Sequence, residues 1–333
     1  MRTLNTGRKT LSLAVAAGSA LLVPDYSFAQ GTVLEEVRVT ATRRDESILD
    51  IPYNISAVSG ASIEAAQMTD QAELLRSIAG VGIIDRGYRN SGTVNTIRIR
   101  GLNVDSSIVG DFAVASAPTV STYVNDTPVF ANFVLKDLER VEVLRGPQGT
   151  LYGSGSLAGT VRYIMREPEF EEVYGKVSGG FSRTDGSDGW NWTTDAMLNL
   201  PLTDTLALRV VAGKNDYDGI TDYENVYVLD DSGVPVAPNG VLAPDAVYRE
   251  VEDADDVDIW FARAALRFQP NDRVDATLSY HTQSDDIGGR RGTTRGSNGA
   301  GEPYGDNELG AVLLEPSSRD IDLVSLEADI DLG

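Results

Sequence analysis

The sequence predicts a mixed α+β domain followed by an antiparallel transmembrane β-barrel, and three observations carry that prediction. Residues 51–168 combine one short amphipathic helix, several short apolar runs and a glycine-dense segment. From about Glu172 onward, strands of about ten residues alternate apolar and polar side chains, the period of a pleated strand with one apolar face. The connections between those strands sort into short turns and long acidic loops, which is the pattern of an outer-membrane barrel. A soluble β-sandwich is the competing reading, because its strands are also apolar on one face, but its loops would not sort by length so cleanly.

The N-terminus reads as an export signal. Arg2, Arg8 and Lys9 form a basic start, Leu11 to Val23 an apolar run, and Ser27-Phe28-Ala29 a small-x-small cleavage site. The apolar run is short for a membrane span and is followed by Pro24, so a cleaved leader over residues 1–29 is expected rather than an anchor. Composition narrows the function further. The 333 residues carry a net charge of −22, which argues against a polyphosphate partner and so against nucleic acid. Cysteine is absent and His281 is the one histidine, so thiolate metal sites, cysteine nucleophiles and disulfide scaffolds are excluded. No cofactor, no metal site and no catalytic residue is expected.

Residues 30–50 form a polar arm. Within it Val37, Val39 and Ala41 alternate with Glu36, Arg38 and Thr40, a strand pattern with no hairpin partner beside it. Such a strand either adds to the sheet edge of another protein or is an edge strand of the domain that follows; pattern alone leaves both open. In residues 51–168, Ile51 to Val58 reads as a strand. Asp70-Gln71-Ala72-Glu73 has the capping-box spacing and opens a helix with Leu74, Leu75 and Ile78 on one face, closed by Gly80. Strand runs follow at Thr96–Arg100, Val120–Val124, with a turn at Asn125-Asp126, and Val141–Leu144. The long small-residue segment Asn103–Thr119 reads as a functional loop.

Residues 169–333 read as the barrel part, with six strands. Trp192, Thr194, Ala196, Leu198 and Leu200 share one face, continued by Leu206, Leu208, Val210 and Ala212 after a tight turn at Thr203-Asp204. Trp260 to Phe268, Val274 to Tyr280 and Val324 to Leu332 repeat the pattern, and Val173 to Phe181 begins it. Six strands cannot close a transmembrane barrel, whose smallest forms use about eight. Barrels with a plugged lumen use about 22 strands, so this sequence is expected to be the N-terminal half or less of a longer protein.

Three blocks, in order, carry a family resemblance: LEEVRVTATRR at Leu34–Arg44; IPYNISAVSG with the LLRSIAGV helix end at Ile51–Val81; and IRIRG at Ile97–Gly101 with DLERVEVLRGPQGTLYGSGSLAGTVRYIMREP at Asp137–Pro168. Together they resemble the TonB box, plug domain and barrel entry of a TonB-dependent outer-membrane receptor. The resemblance implies that residues 51–168 are a plug inside a barrel of about 22 strands. It further implies that a nutrient bound from outside is taken up with force supplied by TonB and its inner-membrane energising complex. The family's default ligand is a ferric siderophore; cobalamin and carbohydrate are the alternatives, and the barrel would face outer-membrane lipid.

The resemblance also assigns residues. Leu34, Glu35, Glu36, Val37, Arg38, Val39, Thr40 and Ala41 correspond to the box that pairs with TonB. Arg100 and Arg145 correspond to arginines that pair with barrel glutamates, whose strands are expected beyond Gly333. Arg86, Tyr88, Arg89, Phe130, Asn132 and Phe133 correspond to ligand-facing apices, although Phe130 and Phe133 suit a buried plug–barrel contact equally well. The five glycines from Gly146 to Gly159 are read as close packing against a barrel wall rather than a phosphate cradle, because the fingerprint spacing and the P-loop lysine are missing. The acidic run Arg249–Asp258 reads as a solvated external loop, without the glycine spacing of a calcium loop. From another class, an outer-membrane hydrolase would use His281 with Asp275 or Asp285. A receptor that also regulates transcription would carry an extra periplasmic domain before the box, where only Gln30–Val33 stand.

Overall fold

The computed structural model describes residues 38–40, 46–48, 51, 54–66, 68, 71–84, 96–102, 118–134, 136–242, 244–298 and 301–333. The expected leader, Leu34–Val37 and Ala41 of the arm, Arg86, Tyr88 and Arg89, and most of the Asn103–Thr119 loop lie outside the described residues.

The arm is not a lone strand. Strand β1 (Arg38–Val39) pairs antiparallel with β2 (Glu46–Ser47), and Val39 is fully buried. The following strand, β3 (Asn54–Ser59), starts later than the sequence pattern suggests and runs into a helix that the pattern does not reveal, α1 (Gly60–Ala65). The Ser59 hydroxyl accepts from the Ser62 amide at 3.2 Å, satisfying one orphan donor of the first turn. Gly60 has no room for a side chain, since a Cβ there would meet the Leu138 carbonyl at 2.0 Å.

Helix α2 (Gln71–Arg76) is the one the sequence predicts, and Leu74, Leu75 and Ile78 enter the core. It leads to the antiparallel pair β4 (Val81–Ile84) and β5 (Thr96–Ile99). The main sheet of this domain also contains β6 (Val120–Val124), β7 (Thr127–Pro128), β8 (Leu138–Arg145) and β9 (Gly159–Met165), with α3 (Gly149–Tyr152) between the last two. Its order is β3-β8-β9-β6-β7, with β6 and β9 parallel and the other neighbours antiparallel. Strand β9 is buried along its whole length, as a central strand rich in β-branched and aromatic residues should be.

Among the described residues, the glycine-dense segment meets the domain's own sheet rather than a barrel strand. The tight glycine is Gly159, whose Cβ would meet the Leu144 carbonyl at 2.2 Å and Ile99 Cδ1 at 2.6 Å, both within the plug sheet and its core. Gly146, with φ of 103° and open space around it, is required by conformation instead.

The second sheet has six antiparallel strands in sequence order: β10 (Tyr174–Ser182), β11 (Asn191–Thr203), β12 (Leu206–Tyr217), then two strands named by place below, and the last at Ser317–Ile330. The long connection after β12 holds β13 (Asp222–Tyr227) and β14 (Tyr248–Val251). It is followed by β15 (Val257–Asn271) and β16 (Val274–Ile287), then β17 (Glu308–Leu309) and β18 (Ser317–Ile330). Trp192, Leu198, Trp260, Leu278, Val324 and Leu326 face outward and stay exposed, whereas Asn199, Arg209, Arg263, Ser279 and Gln283 face the plug and are buried. This inside-polar arrangement suits a lipid-facing barrel wall and is the reverse of a sandwich core. No helix among the described residues is long and apolar enough to cross a membrane.

The two long loops are more than solvated connections. They fold into a third sheet, β14-β13-β17, around buried Tyr223, Val226 and Ala254. Asp255 is fully buried and accepts from the Ile220 and Thr221 amides at 2.7 and 2.8 Å, so this part of the acidic run caps backbone instead of facing water.

Candidate functional site

The arm expected to hold the box, the plug apex and the plug–barrel seam are three parts of one candidate site, and the described residues of the arm, 38–40, are held by the plug. Glu142 on β8 is fully buried. It accepts from the Thr40 amide at 3.0 Å, from Arg140 Nε at 2.8 Å and from Arg162 Nη1 at 2.8 Å. The Thr40 hydroxyl accepts in turn from Arg140 Nη2 and Arg162 Nη1, both at 3.0 Å. A carboxylate taken out of water needs this many donors, and both of its arginine partners lie a hundred or more residues from Thr40 in sequence. Of the eight positions expected to form the box, Arg38, Val39 and Thr40 are described; Arg38 and Val39 form a paired strand, and Thr40 beyond it is latched to the plug.

The latch continues toward the barrel. Arg162 Nη2 donates to Asp126 at 3.0 Å, and Glu327 of β18 accepts from Asn125 Nδ2 at 3.0 Å and from the Asp126 amide at 3.4 Å. Asn125 and Asp126 are the turn between β6 and β7, with Asn125 at φ of 50°, as the sequence predicts for that dipeptide. A path of hydrogen bonds therefore joins a barrel strand to the box.

Of the apex residues, Phe130 is exposed, while Asn132 is buried and Phe133 packs against the plug core. Phe133 also meets the His281 ring edge-on at 6.4 Å, and the Asn132 carbonyl accepts from Gln283 Nε2. Asn132 and Phe133 are thus plug–barrel contacts, which takes them out of direct ligand contact. Phe130 stays exposed beside a cavity of about 60 Å3 that Thr119 also lines. Arg145 donates to Asn54 Oδ1 and the Ala79 carbonyl, each at 2.7 Å. Partial burial and then the nearby Arg100 cation push Arg145 below arginine's ordinary value. Arg100 itself has φ of 54°, and its amide donates to the Gly80 carbonyl.

The hydrolase arrangement does not assemble. Asp275 is held by Arg267 at 2.5 Å and Asp285 by Arg319 and Gln283, so neither carboxylate orients His281. No group of three histidine, aspartate or glutamate side chains among the described residues converges on a metal position.

Sequence reasoning missed the strongest plug–barrel contact. Asp137, buried with φ of 61°, takes Arg209 of β12 in a two-pronged pair at 2.6 and 2.7 Å and Arg263 of β15 at 3.3 Å. Its only signal was an arginine on the polar face of each of two barrel strands. The Val134 amide donates a hydrogen bond to Gln283 Oε1 at 2.8 Å, and its side chain clusters with Ile259 and Phe261. Against these buried ties stands a looser side. There Glu64 of α1 meets Lys176 of β10 at 2.6 Å with both about half exposed, and Lys136 meets Asp195 at 2.8 Å. Exposed pairs contribute about 0–1 kcal/mol, whereas stripping one partner from a buried pair costs about 3–5 kcal/mol.

Residues 47–160 match the family model of the TonB-dependent receptor plug domain. The vitamin B12 transporter BtuB of Photobacterium profundum is 28% identical over 262 residues, covering 75% of this chain and 41% of the relative. The pesticin receptor of Yersinia pestis is 30% identical over 185 residues, covering 53% of this chain and 26% of the relative. The ferric yersiniabactin uptake receptor FyuA from Yersinia pestis superimposes with a TM-score of 0.60 at 20% identity, covering 84% of this chain and 38% of that one. At that identity the likeness speaks for the fold: a plug followed by barrel strands. The chain spans about two fifths or less of the length of these relatives.

Proposed function

We propose, from its membership in the TonB-dependent receptor family, that this chain supplies the plug and six barrel strands of a receptor for energised nutrient uptake. The protein belongs to the outer membrane, with residues 1–29 acting as leader, 30–50 as box and linker, 51–168 as plug and 169–333 as barrel. The observation that carries the reading is the latch: a strand-forming arm whose last described residue, Thr40, is held by the buried Arg140–Glu142–Arg162 group. An arm held this way is available to a partner only when the plug rearranges. TonB would then add to residues 34–41 as a strand, a mode that rests on backbone hydrogen bonds.

A ferric siderophore is the favoured ligand. Two solved structures of similar fold are receptors for ferric yersiniabactin and ferripyoverdine, and one relative is a vitamin B12 transporter, which keeps cobalamin as the second reading. Arg100 and Arg145 are adjacent cations on the plug, and a barrel glutamate pairing with both would relieve their mutual repulsion. Phe130 offers the ligand an exposed aromatic face.

The test is uptake by cells that carry the full-length receptor, using radiolabelled ferric siderophores and cyanocobalamin. Accumulation should stop with a protonophore. Val37→Pro removes a backbone donor from the box and should abolish accumulation while leaving surface binding intact. Accumulation that survives both treatments would overturn the assignment.

A further inference from the structure

A cavity of about 30 Å3 lies in the seam where Phe133, Val134 and Lys136 of the plug meet β15 and β16. At roughly 10–15 Å3 for each bound water, it has room for about two waters or one small ion. Arg263 of β15 and His281 of β16 line it from the barrel side, and Lys136 lines it from the plug. We infer that this cavity binds a small monovalent anion of the size of chloride, and that the ion helps to seat the plug against the wall.

Three observations support it. The first is an unpaired donor. Arg263 is 5% exposed, and its Nη1 donates to Asp137 at 3.3 Å and to the Arg166 carbonyl at 2.9 Å, but its buried Nε has no partner. Leaving a buried N–H of a charged group unpaired is costly, so an acceptor belongs beside it. His281 is 7% exposed and lines the same cavity, and its ring makes no hydrogen bond to any described residue. Even a neutral imidazole carries one N–H, so His281 can give a second donor to the group that Arg263 holds.

The second is charge. Arg209 and Arg263 are both buried and share the single carboxylate of Asp137, which leaves one positive charge over. Lys136 is matched by Asp195, while Glu167 pairs with Arg267 and Glu327 holds the Asn125-Asp126 turn. An uncompensated charge away from water is strongly unfavourable; a water would satisfy the Nε but leave the charge, whereas one monovalent anion answers both. The third is the wall itself. The chain has 50 acidic residues against 28 lysines and arginines, yet no carboxylate lines this cavity. The Gln283 amide, which also lines it, is committed elsewhere: Oε1 accepts from the Val134 amide, and Nε2 donates to the Asn132 carbonyl and to Asp285.

Two measurements on the purified full-length receptor test this. Crystals soaked in sodium bromide should show an anomalous peak within hydrogen-bond distance of Arg263 Nε. Thermal unfolding at fixed ionic strength, with gluconate replacing chloride, should give a midpoint that rises with the logarithm of chloride concentration. Arg263→Met removes the excess charge and should abolish that dependence, whatever its effect on the midpoint itself. His281→Phe keeps a ring in place but loses the donor, and should move the dependence to about tenfold higher chloride. Asp137→Asn leaves both arginines uncompensated and should move it to lower chloride. Water in place of bromide at the site, or a chloride dependence that Arg263→Met leaves intact, would overturn the inference.

Discussion

At the scale of single residues, the arm proposed to carry the box is held by Glu142, whose fully buried carboxylate binds the Thr40 amide and two guanidinium groups. Replacing it by alanine strands Arg162, which is 2% exposed, with one remaining carboxylate, Asp126. The expected cost is about 3–5 kcal/mol, taken from the latched state. Thr40→Val is milder: it removes one acceptor shared by Arg140 and Arg162 but keeps the hydrogen bond from the backbone amide to Glu142, for a loss of about 1–3 kcal/mol. Both variants should raise the reactivity of a cysteine placed at Arg38, with Glu142→Ala above Thr40→Val and Thr40→Ser near the parent. Equal reactivity in all of them would show that the latch does not hold the box. None of this was legible in the sequence. Val37, Val39 and Ala41 announce a strand by their period, but a partner a hundred residues away leaves no local mark, and Glu142 itself reads as an ordinary polar position in Val141–Leu144.

At the scale of elements, legibility followed physical constraint. The barrel strands were readable because lipid on one side and lumen on the other impose period two on every residue, and the faces set by Trp260, Leu266 and Phe268 are the exposed ones. Helix α1 was not, because six residues after a strand carry too little periodicity, and its cap is a lone serine. The loop sheet was hidden by its acidic composition, since carboxylates such as Asp255 serve there as caps for backbone amides. That sheet and α1 should respond to acid in opposite ways. Burial, reinforced by Asp188, Asp218 and Asp222, holds Asp253 above the usual carboxylate range, and burial with Asp216, Asp218 and Asp255 does the same for Asp256. A raised carboxylate favours folding at low pH, and that contribution is lost as pH rises through the folded value. The hydrogen bond from Lys176 holds Glu64 below the usual range, so α1 loses its contribution as pH falls through that lowered value. Hydrogen exchange of the full receptor, corrected for intrinsic rates, should show β13 and β14 better protected in acid than at neutral pH. Protection of α1 should decline only in stronger acid. A common trend for both elements would contradict these assignments.

At the scale of the whole molecule, the firmest tie between plug and wall among the described residues is a single carboxylate that serves arginines from two neighbouring strands. Asp137 is 7% exposed, Arg209 1% and Arg263 5%. Arg209 has a second partner in the Tyr174 hydroxyl at 2.7 Å, and Arg263 a second in the Arg166 carbonyl at 2.9 Å. Removing the carboxylate therefore leaves two buried cations facing each other, while removing one arginine leaves the carboxylate still paired. The asymmetry orders the variants. Asp137→Ala should destabilise the plug within the barrel by about 3–5 kcal/mol, and Arg263→Met by less, because Arg209 continues to neutralise the aspartate. The double variant Asp137→Ala with Arg263→Met should recover part of the loss, since one of the two stranded cations is gone. Urea unfolding of the full-length receptor, followed at a reporter in the plug, measures the cycle. Vancomycin sensitivity of cells expressing each variant reports leakage through a loosened plug in the same order. Additive losses, with no recovery in the double variant, would mean that the two arginines do not share the aspartate and that the plug is anchored elsewhere.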